Sequence, residues 1–138
     1  MILVATDALR ALIDASDRHH RRAVAALRSI REPLGTVWPV IADALQGLAA
    51  VPKGQAAVLE MIERRVLRLA DLTDQDVPRI RDLLAGSSGR RLGLAGAALV
   101  RVAQRDGADT IFTVDAKPFA AIRVHGRKRL RIVPGGRP

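Results

Sequence analysis

The chain of 138 residues contains no cysteine and no tyrosine, and aromatic residues make up only 2% of it. The absence of cysteine excludes a disulfide scaffold, a thiol nucleophile, an iron–sulfur cluster and a zinc–cysteine site. One Trp and two Phe are too few for the stacking platform with which RRM and OB proteins hold single strands. Any metal that the chain binds must therefore have oxygen or histidine ligands.

Long hydrophobic runs are also missing, because no apolar segment reaches the roughly 18 residues that a membrane-spanning helix needs. The short apolar start has no basic flank and is followed by Asp7, which is atypical of a signal peptide. We therefore expect a soluble, cytoplasmic protein that makes no membrane contact.

Acidic residues are few: 14 stand against 23 basic ones, most of them arginine, and the net charge is +9. The C-terminal segment 123–138 contains no acid at all. One-sided charge of this kind favours RNA or an acidic protein segment as a partner, although simple solvation also explains it. The basic residues of the segment are Arg123, Arg127, Lys128, Arg129, Arg131 and Arg137.

Short apolar strands alternate with amphipathic helices along the chain. The apolar runs predict strands at 2–4, 34–37, 66–69, 110–114 and 130–133. Thr73 and Asp76 have the spacing of a capping box. A loop is expected at 86–91, and helices are expected at 8–13, 19–30, 39–48, 55–65, 80–84 and 94–104.

This alternation predicts one α/β domain over residues 1–138, with a mainly parallel sheet and helices on both of its faces. No repeat or linker interrupts it. Ligands of such sheets usually bind beyond the carboxyl ends of the strands. Two positions are therefore of interest: the end of the first strand at Ala5 to Asp7, and Asp115 directly after a late strand.

In their order and spacing, five stretches resemble the PIN domain, specifically the VapC-type toxins of bacterial toxin–antitoxin pairs. The resemblance implies a three-layer α/β fold and an acidic cluster that holds Mg²⁺ or Mn²⁺ for hydrolysis of RNA. It also implies a VapB-type antitoxin as partner and a homodimer. The stretches are 1–9, 17–20, 38–44, 92–97 and 111–115 with Phe119, and Gly126-Arg127 before the last apolar run also fits.

The acids of the family pattern are only partly present in this chain. The aspartate expected at the end of the first strand is Ala5, and the acid after Trp38-Pro39, usually Glu, is Asp43. The Asp-Leu-Ala-Asp pattern expected near the loop is a stretch of Gly-Leu-Ala-Gly, from Gly93 to Gly96. Asp115 stands as the pattern requires.

Two main hypotheses follow from this partial match. In the first, ribonuclease activity is lost or strongly impaired, and binding to an antitoxin, a second copy or RNA remains. In the second, the chain is an active endoribonuclease in which Asp43 and Asp115 are helped by Asp7, since residues two apart share a face of a strand. Asp7 also fits as an ordinary helix N-cap, and Thr6 is either a hydroxyl of the same pocket or a cap. Deliberate replacement of the acids is a third alternative, which fits Ala5 better than the two glycines.

The glycines also suggest an anion-binding corner. If Gly93 lies near the N-cap of the helix from Leu94, loss of two acids exposes free N–H groups and the positive end of the helix dipole. Arg90 and Arg91 directly precede it. We therefore predict phosphate or RNA binding at Arg90, Arg91, Gly93 and Gly96, and along Arg127, Lys128 and Arg129; arginines that merely extend into water are the alternative.

Overall fold

Five short parallel strands form the central sheet of the computed structural model, which describes residues 1–86, 89–124, 126 and 128–135. Within these residues no helix is long and apolar enough to cross a membrane. The strands described are β1 Ile2–Val4, β2 Leu34–Thr36, β3 Leu67–Leu69, β4 Thr110–Phe112, β5 Arg123–Val124, β6 Lys128–Arg129 and β7 Arg131–Val133. The helices are α1 Thr6–Ile13, α2 His20–Ser29, α3 Trp38–Gly47, α4 Gly54–Glu63, α5 Val77–Ala85 and α6 Gly89–Asp106.

The sheet has the strand order β3-β2-β1-β4-β7, and every neighbouring pair is parallel. At its centre, Leu3 lies opposite Gly35 on one side and Ile111 on the other. Every residue of β1, β2 and β4 is buried, so both faces of the sheet are covered. The predicted α/β fold with a mainly parallel sheet is thus confirmed.

The core fills the space between this sheet and the helices. Phe112 and Leu3 from the central strands pack in it with Leu9 of α1 and Leu99 of α6, and all four side chains are fully buried. Burial of a side chain of this size contributes about 1.5–3 kcal/mol. These contacts hold α1 and α6 beside β1 and β4, whose carboxyl ends open towards the same edge of the sheet.

Several boundaries differ from the sequence prediction. The first helix begins at Thr6 with Ala5 as its N-cap, so the interpretation of Asp7 or Thr6 as the N-cap is wrong. The strand predicted at 110–114 ends at Phe112, and the one predicted at 130–133 starts at Arg131. The antiparallel hairpin of β5 and β6 was not expected.

The predicted loop at 86–91 and the helix after it also change. The helix α6 already begins at Gly89, and it is broken at Gly93, where φ is 59° and ψ is −177°. The expected start at residue 94 therefore corresponds to the second part of a broken helix. Residues 87 and 88 of the predicted loop lie outside the described residues.

A buried carboxylate joins the start of α5 to the end of α6. Asp76 is 2% exposed and accepts the backbone N–H of Thr73 at 2.8 Å, which completes the predicted capping box. Its other oxygen lies 2.7 Å from Nε of Arg101, and Arg105 Nη1 is 3.1 Å away. The Thr73 N–H and then the Arg101 guanidinium lower the pKa of Asp76 to about 2.

We expect Asp76→Asn to lower the free energy of unfolding by about 2 kcal/mol, because hydrogen bonds to a charged group are lost at a buried position. Since the pKa of Asp76 is about 2 in the folded chain and 3.8 ordinarily, this stabilisation is complete above about pH 4 and disappears towards pH 2. Urea unfolding at pH 7, 4 and 3 measures it. The control is Asp74→Asn, at an exposed neighbour; equal losses in both variants would contradict the role of Asp76.

Candidate functional site

A cleft of about 210 Å³ opens at the carboxyl ends of β1 and β4. Its walls come from the start of α1, from α3, from the first part of α6 and from the chain after β4. It brings together many of the residues singled out in the sequence. Of those residues, Ala5, Thr6, Asp7, Asp43, Arg91, Gly96 and Asp115 line it. The other lining residues are Val40, Leu92, Ala95, Leu99, Thr113, Pro118 and Phe119.

Asp7 is half-buried, and its carboxylate accepts hydrogen bonds from the segment that follows β4. The hydroxyl of Thr113 lies 2.9 Å from both of its carboxylate oxygens, and the backbone N–H of Asp115 donates to Oδ2 at 3.1 Å. Burial raises the pKa of Asp7, and these hydrogen bonds oppose the rise. Asp7 thus links the first turn of α1 to the segment that carries Asp115, a role that the sequence analysis missed.

The other two carboxylates of the cleft are exposed. Asp43 lies on α3 and makes no hydrogen bond to a described residue, so its oxygens face the cleft without a partner. Asp115 accepts the backbone N–H of Lys117 at 3.1 Å. At the base of the cleft, Ala5 is 6% exposed and supplies no ligand atom.

The wall formed by α6 has no carboxylate where the family pattern has two. Gly93 lies at the break in the helix, and a Cβ atom added there would meet nothing within 4 Å. Its φ of 59° with ψ near 180° belongs to a region that is essentially restricted to glycine. A Cβ at Gly96 would lie 3.1 Å from Cδ2 of Leu92, which must give way slightly.

The residues present do not form the acidic metal cluster that the family resemblance implies. In the described part of the chain, no three His, Cys, Asp or Glu side chains are grouped so that they could hold a metal ion. Two of the cleft acids, Asp7 and Asp115, are hydrogen-bonded to the protein, and the third, Asp43, lies on α3. The donor set therefore does not fit a resident Mg²⁺ or Mn²⁺.

The basic residues predicted to bind anions are divided between two places. Arg91 is exposed and lines the cleft, whereas the side chain of Arg90 and the whole of Arg127 lie outside the described residues. Lys128 forms an ion pair with Asp109 at 2.8 Å. Arg129 is exposed on the hairpin of β5 and β6, directly opposite another arginine.

None of the described residues of that hairpin lines the cleft. Gln104, near the end of α6, donates to the carbonyl of Arg123 at 2.9 Å. Gly96, which lines the cleft, is eight residues earlier on α6, so about 12 Å of helix separate the two places. The hairpin and the cleft are therefore distinct surfaces.

Comparison with known proteins agrees with this architecture. No family model matches the chain. Ribonuclease VapC26 of Mycobacterium tuberculosis is 28% identical over 136 residues, which cover 96% of this chain and 100% of that protein. The crystal structure of VapC20 of the same organism, a Sarcin-Ricin loop cleaving toxin, has a TM-score of 0.80 and 22% identity over 92% of this chain and 99% of that one. The structural likeness shows a shared fold.

We expect the free energy of unfolding of the Asp7→Asn variant to increase, relative to that of the original chain, as the pH rises from 4 to 7. Because burial raises the pKa of Asp7 in the folded chain above its ordinary value of 3.8, the folded chain loses stability as the pH rises from that ordinary value through the raised pKa, and Asn removes this loss. Chemical unfolding of both proteins at several pH values measures the difference. The control is Asp43→Asn, because Asp43 is exposed. If the difference in unfolding free energy between Asp7→Asn and the original chain does not vary with pH, the expectation is wrong.

We expect Gly93→Ala and Gly93→Asp to destabilise the chain by the same amount, about 1–3 kcal/mol, because the cost lies in the backbone and no neighbour meets the new side chain. Thermal or urea unfolding of the two variants tests this. A variant as stable as the original chain would show that position 93 has an ordinary backbone conformation.

Proposed function

Since the chain is VapC-like in sequence and PIN-like in fold, we propose that it is a toxin–antitoxin type protein whose ribonuclease activity is lost or strongly impaired. It retains binding to an antitoxin, a second copy of itself or RNA. The observation that carries this proposal is the lack of a carboxylate at Ala5, Gly93 and Gly96. The cleft nevertheless lies at the carboxyl ends of β1 and β4, where sheets of this kind bind their ligands.

The chemistry of hard cations supports the proposal. Mg²⁺ needs oxygen ligands in near-ideal octahedral geometry, and a metal-dependent nuclease needs several of them in place. Loss of an outer partner of a metal ligand alone typically costs about 10–100-fold in affinity or activity, and here the ligands themselves are missing at three positions. Asp7 is tied to the Thr113 hydroxyl and the Asp115 N–H, and a single carboxylate there replaces at most one of the three that are missing.

An active Mg²⁺- or Mn²⁺-dependent endoribonuclease is the second candidate. One observation favours it: Asp7, Asp43 and Asp115 line the same cleft. Magnesium is often held by one or two carboxylates when substrate phosphates complete its shell, so a complex with RNA would have to supply the remaining ligands.

The partners belong to the same proposal. A net charge of +9 suits RNA and equally an acidic segment of a VapB-type antitoxin. We propose the cytoplasm as the place where the chain meets both, and a homodimer as its assembled form.

The decisive experiment is cleavage of a mixed-sequence RNA with Mg²⁺ or Mn²⁺. The original chain is compared with Asp43→Asn/Asp115→Asn and with a restored form, Ala5→Asp/Gly96→Asp; Gly93→Asp is added in a separate variant because of its backbone cost. We expect only restored forms to cut, and Mn²⁺ to raise the melting temperature of these forms alone. If the original chain cuts and the double Asn variant does not, the second candidate is correct.

A further inference from the structure

The hairpin of β5 and β6 places two arginines side by side. Arg123 lies directly opposite Arg129 in the antiparallel pair, so their Cβ atoms are about 5 Å apart on one face of the hairpin. Both side chains are exposed, and neither forms an ion pair with a described residue. Like charges directly opposite each other destabilise a hairpin. The pair therefore favours an anion that lies between the two guanidinium groups.

A third arginine continues this face towards β7. Arg129 and Arg131 are exposed while Leu130 between them is buried, so the two arginines project to the solvent side of the chain. Two residues of extended chain separate them by about 7 Å. Val124 of β5 is buried too, and it joins Leu130 in the core beneath the hairpin. We call Arg123, Arg129 and Arg131 the basic stripe.

Gln104, near the end of α6, fixes the hairpin and brings a further cation to it. Its Nε2 donates to the carbonyl of Arg123 at 2.9 Å, and its Oε1 accepts the Nε–H of Arg79 at 2.8 Å. Arg79 forms no ion pair with another described residue. A cation of α5 therefore stands at the base of the basic stripe.

Carboxylates of the described chain do not neutralise the basic stripe. The described part of 123–131 contains four cations and no acid, and its one ion pair joins Lys128 to Asp109 at 2.8 Å. Asp76 and Asp106, at the same end of α6, are paired with arginines of that helix. Asp82 is exposed one turn from Arg79 and balances that cation at most. The surface around the hairpin is thus positively charged.

Acidic side chains on an extended peptide fit the geometry of the basic stripe. Side chains two residues apart in an extended segment lie on one face about 7 Å apart, which is the separation of Arg129 and Arg131. A guanidinium group binds a carboxylate through two parallel N–H donors. The carboxylates of such a segment can therefore each meet an arginine of the basic stripe.

Two other occupants fit this surface less well. A second copy of the chain carries a net charge of +9 and is repelled by the basic stripe. RNA would find no aromatic side chain on which its bases could stack among the described residues of the hairpin and β7. An acidic protein segment is therefore the better match.

We propose that the basic stripe binds an extended acidic segment of a partner protein, with one carboxylate held between Arg123 and Arg129 and a second at Arg131. None of these arginines lines the cleft, so a segment confined to the basic stripe leaves the cleft open. The proposal rests on the part of the proposed function that gives the chain an acidic protein partner. It does not depend on whether the chain cleaves RNA.

The opposite edge of the sheet provides a matched control. Arg65 precedes β3 and Arg68 lies in it; both are exposed, and neither forms an ion pair with a described residue. Four strand spacings, about 19 Å, separate β3 from β7. The stripe variant Arg123→Gln/Arg129→Gln and the edge variant Arg65→Gln/Arg68→Gln each remove two positive charges. Their net charge is the same, and only the location differs.

Fluorescence anisotropy of a labelled eight-residue peptide of alternating Glu and Ser, at low and high salt, tests the proposal. We expect the stripe variant to bind about tenfold more weakly than the original chain, because each exposed ion pair contributes a factor of up to about five. The edge variant stays within about twofold of the original chain, and high salt weakens binding by the original chain. Equal losses in both variants, or no binding by the original chain at low salt, overturn the proposal.

Two further measurements make the test independent of net charge and of folding. Removal of opposed charges leaves the stripe variant at least as stable as the original chain in thermal unfolding. In NMR spectra of the original chain, the peptide is expected to shift the amide signals of residues 123, 124 and 128–131 and to leave those of 65–69 in place. Shifts at 65–69 without shifts in the hairpin overturn the proposal.

A comparison with RNA separates the remaining alternative. If the stripe variant binds the peptide as the original chain does but loses binding of a single-stranded RNA, the hairpin takes RNA and the proposal is wrong. The cleavage assay of the restored forms does not involve the hairpin, so failure of the proposed function and failure of this proposal are distinguishable.

Discussion

The carboxylate of Asp7 holds together the two chain segments from which the site is built. Parallel pairing of β1 with β4 brings the ends of these strands to one edge of the sheet, but pairing stops at Phe112. Beyond that point, the bonds from Thr113 and Asp115 to Asp7 tie the segment to α1, and the Thr113 N–H donates to the carbonyl of Val133 in β7. Asp7, Thr113 and Asp115 all line the cleft, so the wall that carries Asp115 includes this contact.

The described side chains of the cleft do not form a metal-binding cluster. Asp7 accepts a hydroxyl and a backbone N–H, and the neighbouring Ala5 has no carboxylate. Asp43 lines the same cleft from α3 and makes no hydrogen bond to a described residue. On α6, Gly93 has a backbone conformation that disfavours any side chain, so this position of the cleft wall favours glycine for a local reason.

Local patterns in the sequence were sufficient for much of the fold. Alternating apolar runs predicted the parallel sheet, and the spacing of Thr73 and Asp76 predicted a capping box that the structure contains. The capping interpretation of Asp7 was equally local and was wrong, because its hydrogen-bond partner Thr113 is 106 residues away. Similarly, no local pattern links Asp76 to Arg101. Contacts between distant segments depend on the packed fold, and periodicity carries no information about them.

The positive charges also show the difference between what a local sequence pattern indicates and what the fold brings together. The C-terminal segment is the most conspicuous basic run in the sequence, yet Lys128 is neutralised by Asp109 and the hairpin lies about 12 Å of helix away from the cleft. Arg10, Arg18 and Lys117 are inconspicuous in sequence and converge beside the acids only after folding. A basic run in the sequence therefore does not by itself show where unpaired cations share one surface, because the fold decides both their location and their pairing.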